Sequence, residues 1–271
     1  FFKHSEFLTV DDIQNFRMVG TADQAETIGR KSAEKMEMAK ERVDQTHEYL
    51  QIQALKGLVV DPYDGSTVVD MFGEYQIDVG FGAGVQGSIN FALGNISTDV
   101  DLKIRQLKTQ VAKYAKVGAR VGEIEVLVSQ AFFDALVSHP NMKLAYQYYQ
   151  NTGVQLLRDS LTKYEAWGIT ESFRHKGVTF LAYDADFTLG NGSPATAFTG
   201  TEGFTIVHGV KDVYKGYFGP SDKFSGANVA GKRDFLFEYS DPKDENKEFQ
   251  IETAPLYFMK KPQLSVRVYS S

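Results

Sequence analysis

Gly82-Ala83-Gly84-Val85-Gln86-Gly87 fits the spacing G-x-G-x-x-G. In a dinucleotide site such glycines let the backbone approach a pyrophosphate at a helix N-terminus. The following residues argue for another use. Ser88 to Leu93 alternate apolar and polar as a strand does, and no acidic residue lies about 20 positions further on at a recognisable strand end. A flexible hairpin or a bulged strand accounts for the glycines more simply. Asp184-Ala185-Asp186 closes an apolar strand, where paired carboxylates would hold a divalent cation or move protons, and where a strand-terminating turn is the simpler explanation. The five histidines, His4, His47, His139, His175 and His208, show no metal-like spacing and read as surface or capping residues. There is no G-x-S-x-G elbow and no G-x-x-x-x-G-K-S/T phosphate loop. The sequence therefore predicts no catalytic, cofactor-binding or metal-binding residue, and not an enzyme.

Composition narrows the classes further. A chain of 271 residues with 42% apolar and 13% aromatic content fills real cores, about two lobes' worth. A formal charge of −6 argues against wrapping nucleic acid, which needs an excess of clustered Lys and Arg. The absence of cysteine rules out disulfides, thiol nucleophiles and Cys-ligated zinc, and suits a reducing cytoplasm. No apolar run approaches the roughly 20 residues of a membrane span, which predicts a soluble chain without a membrane partner. Phe1 in place of Met predicts that the numbering begins inside a longer gene product, trimmed by a protease or in preparing the sample. Phe1, Phe2 and Phe7 beside Lys3, His4 and Glu6 read as an edge strand, or as a segment docking on a neighbouring subunit.

The dominant elements are structural. From Thr21 to Lys56 there is no proline and only Gly29, while strong helix formers prevail. Ile28, Met36, Ala39, Val43, Leu50 and Ala54 make a narrow apolar stripe on a long helix whose remaining surface is charged. Such a helix would be ~50 Å long, as wide as a compact body of this size with its radius of gyration near ~18 Å, which predicts a flat or elongated subunit. Leu58-Val59-Val60 and Thr67-Val68-Val69 flank Asp64-Gly65 as a hairpin. Strand signal continues through Tyr75, Ile77 and Val79, and through Ile89, Phe91 and Leu93. Thr98 to Val117 returns to helical spacing, with Ile104, Leu107, Val111 and Tyr114 on one face, Thr98 and Asp101 at capping-box spacing, and Gly118 as the stop. A strand at Ile124, Val126 and Val128 leads into helices beginning after Ser129 and Asn141. Glu171 to Arg174 and Val178 to Tyr183 pair around His175-Lys176-Gly177, Gly190 to Gly203 is a small-residue loop, and Asp241 to Lys247 is a charged connection. Phe249 and Ile251, then Leu264, Val266 and Val268, close the chain as strands.

The helix running into Gln53-Ala54-Leu55-Lys56-Gly57, the hairpin after it, and Glu248-Phe249-Gln250-Ile251 leading to Ala254-Pro255-Leu256 and a terminal Val-rich strand resemble the major capsid proteins of lambda-like tailed phages, the capsid protein E family. The resemblance implies an α+β tailed-phage major capsid fold (HK-ninety-seven-like). Residues 1–20 would be the returning half of an extended loop. Residues 21–98 and 247–271 would form a peripheral lobe with a spine helix over 22–56, its sheet built from Leu58–Leu93 and Phe249–Val268, and 99–246 an inserted axial lobe. The family's N-terminal arm and outgoing loop half have no counterpart here. The implied function is self-assembly into pentamers and hexamers of an icosahedral phage or prophage head. Copies of the chain itself, scaffolding and decoration proteins and packaged double-stranded DNA would be its partners, with assembly in the bacterial host cytoplasm and residence in the virion. The rivals are a tail-tube or connector subunit and a nucleotide-binding enzyme using Gly82 to Gly87.

Overall fold

A computed structural model of the chain describes residues 1–13, 28–76, 80, 82–115, 121–152, 168–226, 228–242 and 246–271. In chain order the strands are β1 (Phe2–Thr9), β2 (Leu58–Val60), β3 (Thr67–Asp70), β4 (Ser88–Asn90), β5 (Ile124–Val128), β6 (Ile169–His175), β7 (Val178–Tyr183), β8 (Asp186–Thr188), β9 (Pro194–Thr196), β10 (Glu202–Val207), β11 (Tyr214–Phe218), β12 (Phe235–Ser240), β13 (Asn246–Thr253), β14 (Pro255–Met259) and β15 (Arg267–Tyr269). The helices are α1 (Ile28–Leu55), α2 (Met71–Tyr75), α3 (Val100–Tyr114), α4 (Gln130–Ser138) and α5 (Pro140–Thr152). The α+β class matches the expectation. Two compact units divide the chain, Phe1–Glu48 with Gly216–Tyr257 and Tyr49–Lys215 with Phe258–Ser271.

These units are cut differently from the expected lobes at 21–98 with 247–271 and at 99–246, and strand pairing is the reason. β12, expected in the inserted lobe, pairs along its whole length with β13 of the first unit. β4 and β15, expected to share a peripheral sheet with β13, instead pair with each other in the second unit, where β15 also pairs with β10.

In the first unit β1, β13 and β12 form an antiparallel sheet with β13 in the centre. β1 is an edge strand, as the aromatic N-terminal segment predicted. Alternation puts Phe249 and Ile251 on one face, where Ile251 packs with Ala39 and Val43 of α1. The helical stripe holds at Ala39, Val43, Leu50 and Ala54, all buried, but Ile28 is 53% exposed. α1 is described from Ile28, so the expected start at 21 or 22 lies outside the described residues. At Gly29 an added methyl group would meet no atom within 4 Å. Gly29→Ala should therefore stabilise the chain by up to about 1 kcal/mol, because alanine gives up less backbone freedom in a helix. Urea titration of the two proteins measures it.

The second unit holds a mixed six-stranded sheet in the order β4-β15-β10-β5-β7-β6, with β15–β4 and β5–β7 parallel. Its central strands β5 and β7 are buried along their whole length, which is why both read as near-continuous apolar runs. One side of the sheet, Val126, Val128, Phe180, Ala182 and Val268, packs with Phe91 and with Ile104, Leu107 and Val111 of α3 and Phe132, Phe133 and Leu136 of α4. The β2–β3 and β6–β7 hairpins form as expected, and Gly65 takes the positive φ (76°) that its turn requires.

Several local expectations change. Tyr75 ends α2 instead of continuing a strand, because the Asp70 carboxylate accepts the Phe72 N–H at 3.0 Å and caps a helix there. Residues 77 and 79 lie outside the described residues, as does Gly118. α3 is capped by Asp99, which accepts from Leu102 N at 3.0 Å, while the Thr98 hydroxyl donates to Ala92 O. α4 starts after Ser129 as predicted, but α5 starts at Pro140 and not after Asn141, since proline suits the first helical position. The stretch 190–203 is not all loop: β9 pairs with β8 inside it, and β10 begins at Glu202. Leu264 sits in a 3-10 turn, Pro262–Leu264, because proline cannot donate to a ladder, yet it is buried as its apolar type demands.

Candidate assembly interface

The sequence motifs with chemical potential do not converge. Gly82 and Gly84 have positive φ, and the segment runs into β4, so no helix opens after it to receive a phosphate. Asp184 and Asp186 are both exposed at the β7–β8 junction, where Ala197 N donates to Ala185 O and a β8–β9 pair begins. Among the described residues no three His, Asp or Glu side chains are grouped to hold a metal ion. The histidines take four different roles. His4 lies beside Glu6 and Arg42. His139 follows α4: Asn141 N donates to its Nδ1, so its Nε2 carries the proton given to Asn95 O. His175 and His208 reach Asp101 and Glu125, each at 2.8 Å.

His47 is the departure from expectation, for it is 1% exposed and neither a surface nor a capping residue. Its Nε2 lies 3.2 Å from Asp234 Oδ1 and 3.4 Å from Thr253 Oγ1, and Tyr257 OH lies 3.0 Å from its Nδ1. The carboxylate can only accept, so Nε2 carries the proton and Nδ1 accepts from the tyrosine. Phe218 and Tyr257 present their rings edge-on at 6.1 and 5.8 Å, and Arg233 bridges Asp44 and Asp234 beside them. One imidazole thus ties α1 to the start of β12, the end of β13 and the middle of β14.

Burial pushes the His47 imidazole below its ordinary value, against the opposing pull of Asp234. With the folded value depressed, the unfolded chain binds the proton first. This part of the stability is complete above about pH 6.5, the unfolded value, and is lost as pH falls below it. The opening free energy of α1 amides, taken from exchange rates corrected for their intrinsic pH dependence, should fall as pH drops below about 6.5 in the wild type and less steeply in His47→Gln; parallel pH profiles would refute the assignment.

The sheet of the first unit has a second face, opposite α1. By alternation it carries Lys3, Ser5 and Phe7 of β1, Glu248, Gln250 and Glu252 of β13, and Phe235, Phe237 and Tyr239 of β12. The segment 221–226 is bound to this face. Lys3 Nζ donates to Asp222 Oδ2 at 2.8 Å, and Asp222 N donates to Glu252 Oε1. Lys223 Nζ donates to Gln250 Oε1 at 2.6 Å and stands 5.2 and 4.7 Å from the ring centres of Phe237 and Tyr239, which stack at 6.3 Å. Phe7 is 54% exposed on the same face, and Phe224, which directly follows those anchors, is fully exposed. The 2-residue spacing of Phe235, Phe237 and Tyr239 is the sequence signal from which this strand could be found. The pinned turn before it carried no such signal.

In this arrangement, among the described residues, no nucleophile, base and electrophile stabiliser meet. The major capsid protein of Salmonella phage Felix O1 (isolate Felix O1-VT1) is 29% identical, with 99% of this chain and 76% of the relative covered. The major capsid protein of Pseudomonas phage KPP10 is 28% identical, with 98% and 75% covered. The chain spans about three quarters of the length of both. A protein solved as a candidate capsid protein of an E. coli CFT073 prophage superposes with a TM-score of 0.64 over 99% of this chain and 77% of its own, at 11% identity, a likeness of fold. The profile of the phage major capsid protein E family matches residues 1–270, and the chain belongs to that family.

Proposed function

We propose that the chain is a non-catalytic structural subunit whose copies assemble into pentamers and hexamers of an icosahedral phage or prophage head. The family match over residues 1–270 carries this reading. Scaffolding and decoration proteins would assist from outside the chain, assembly would take place in the host cytoplasm, and double-stranded DNA would be held without sequence preference. The net charge of −6 suits a container wall, since a wall that gripped phosphates would hinder packing and release. In the proposed division of labour, α1 with β1, β12 and β13 is the peripheral lobe and the six-stranded sheet with its helices the axial lobe.

No helix among the described residues is long and apolar enough to cross a membrane. Hundreds of copies need only weak, repeated contacts, because closed symmetry multiplies them. Sedimentation of the product co-expressed with the head genes of its phage should give rapidly sedimenting shells; material that stays monomeric with and without those genes would contradict the proposal. A tail-tube or connector subunit would give rings of one fixed symmetry. A nucleotide enzyme would be stabilised by NAD, FAD or ATP in a thermal shift assay.

A further inference from the structure

Isolated exposed apolar side chains are ordinary, so exposure alone says nothing about Phe224. What sets it apart is how closely the turn that presents it is bonded to the sheet and to itself. The two residues before it are both bound to the sheet: Asp222 is tied to Lys3 at 2.8 Å and through its N–H to Glu252, and Lys223 is tied to Gln250 and lies over two stacked rings. Within the turn, Gly226 N donates to Lys223 O at 2.9 Å and Val229 N to Gly226 O at 3.2 Å. The turn folds closely on itself, since a methyl group on Gly226 would collide with the Ser221 side chain. A turn bound to the sheet through the two residues before Phe224 and closed by its own backbone hydrogen bonds after it, yet leaving the phenyl ring 103% exposed, is not a loose loop with a stray aromatic.

We propose that Phe224 is an apolar anchor by which one copy of this chain binds a second copy, its ring seated in an apolar pocket of the neighbour. The proposal rests on the reading of the chain as a shell subunit. A pre-ordered aromatic knob is the form that anchor residues take, because little freedom is lost on docking and the ring removes a large apolar area from water. The charges around the knob select the occupant. Lys3 is matched by Asp222, and the Lys223 ammonium is held by Gln250 and two ring faces on a sheet face that also carries Glu248 and Glu252, so these two cations form no basic patch for a phosphate backbone or an anionic lipid surface. The rim offers both signs at short range beside exposed Phe7 and Tyr239 of the same sheet face, a polar rim around aromatic groups that suits another protein surface. In a shell the protein surface present in every copy is the chain itself.

The test uses Phe224→Asp and Phe224→Leu in the full gene product, co-expressed with the head genes of its phage. Because the ring touches solvent only, thermal unfolding of both variants should match the wild type. Phe224→Asp should reduce the yield of sedimenting shells by at least about tenfold, the effect of ~1.4 kcal/mol at a single contact, and Phe224→Leu should retain most of it. Wild-type shell yield from Phe224→Asp would overturn the proposal, as would normal shells that lose only a decoration protein or packaged DNA. Should the wild type form no shells, the subunit reading fails separately. The anchor is then decided by sedimentation of the chain alone: self-association lost in Phe224→Asp supports it, and identical sedimentation of the two proteins overturns it.

Discussion

Phe91→Ala is expected to destabilise the second unit by about 3–5 kcal/mol, the range for emptying a buried phenylalanine site. Phe91 is fully buried at the end of β4, its ring edge-on to Phe132 at 5.5 Å and to Phe180 at 6.3 Å, and its N–H donates to Tyr269 O at 2.8 Å. Truncation removes the transfer free energy of the ring and leaves a cavity among α4, β7 and β4. The strands at its rim are tied into the sheet and cannot close over the space. Urea titration followed by near-ultraviolet circular dichroism would register the loss as a fall in midpoint. Phe91→Leu, which keeps much of the volume, should lose clearly less. Equal stability of Phe91→Ala and wild type would mean that this core is not packed as described.

Gly203→Ala is the second large effect, and it works by crowding. A methyl group there would lie 2.5 Å from Leu127 O, 2.5 Å from Val128 Cγ1 and 2.8 Å from Val128 Cα. Gly203 pairs with Val128 of β5 on one side and Val268 of β15 on the other, so the obstacle is the backbone of a central strand and not the end of a flexible side chain. Overpacking costs about 1–3 kcal/mol where side chains can shift; here the β10–β5 ladder must separate, and a cost above about 3 kcal/mol is expected. Hydrogen exchange should find the β5 and β10 amides among the most weakened. Protection unchanged in those strands would contradict the pairing.

What could be read from the sequence was what local chemistry decides. The Ala-, Glu- and Lys-rich run gave α1, since such residues favour helix whatever lies beside them. His175-Lys176-Gly177 gave the β6–β7 hairpin because Lys176 and Gly177 take the positive φ that the turn needs. The same local rules failed where distant partners decide. β12 carries the 2-residue alternation of a strand in its letters, but only its register with β13 places it in the first unit. His47 looked like a surface residue because its neighbours on the helix are charged; the Tyr257 hydroxyl that accounts for its burial lies 210 positions away. The glycines at 82 to 87 matched a letter pattern, but the function of that pattern depends on a following helix, and β4 follows instead.

The most direct test of the whole account is a cryo-electron microscopy reconstruction of particles made by this chain with its phage's head genes. A closed shell carrying five-fold and six-fold capsomers, with α1 against the β1–β13–β12 sheet traceable in every copy, is the predicted result. Rings of a single symmetry, or a shell whose wall density cannot accommodate that helix and sheet, would contradict it.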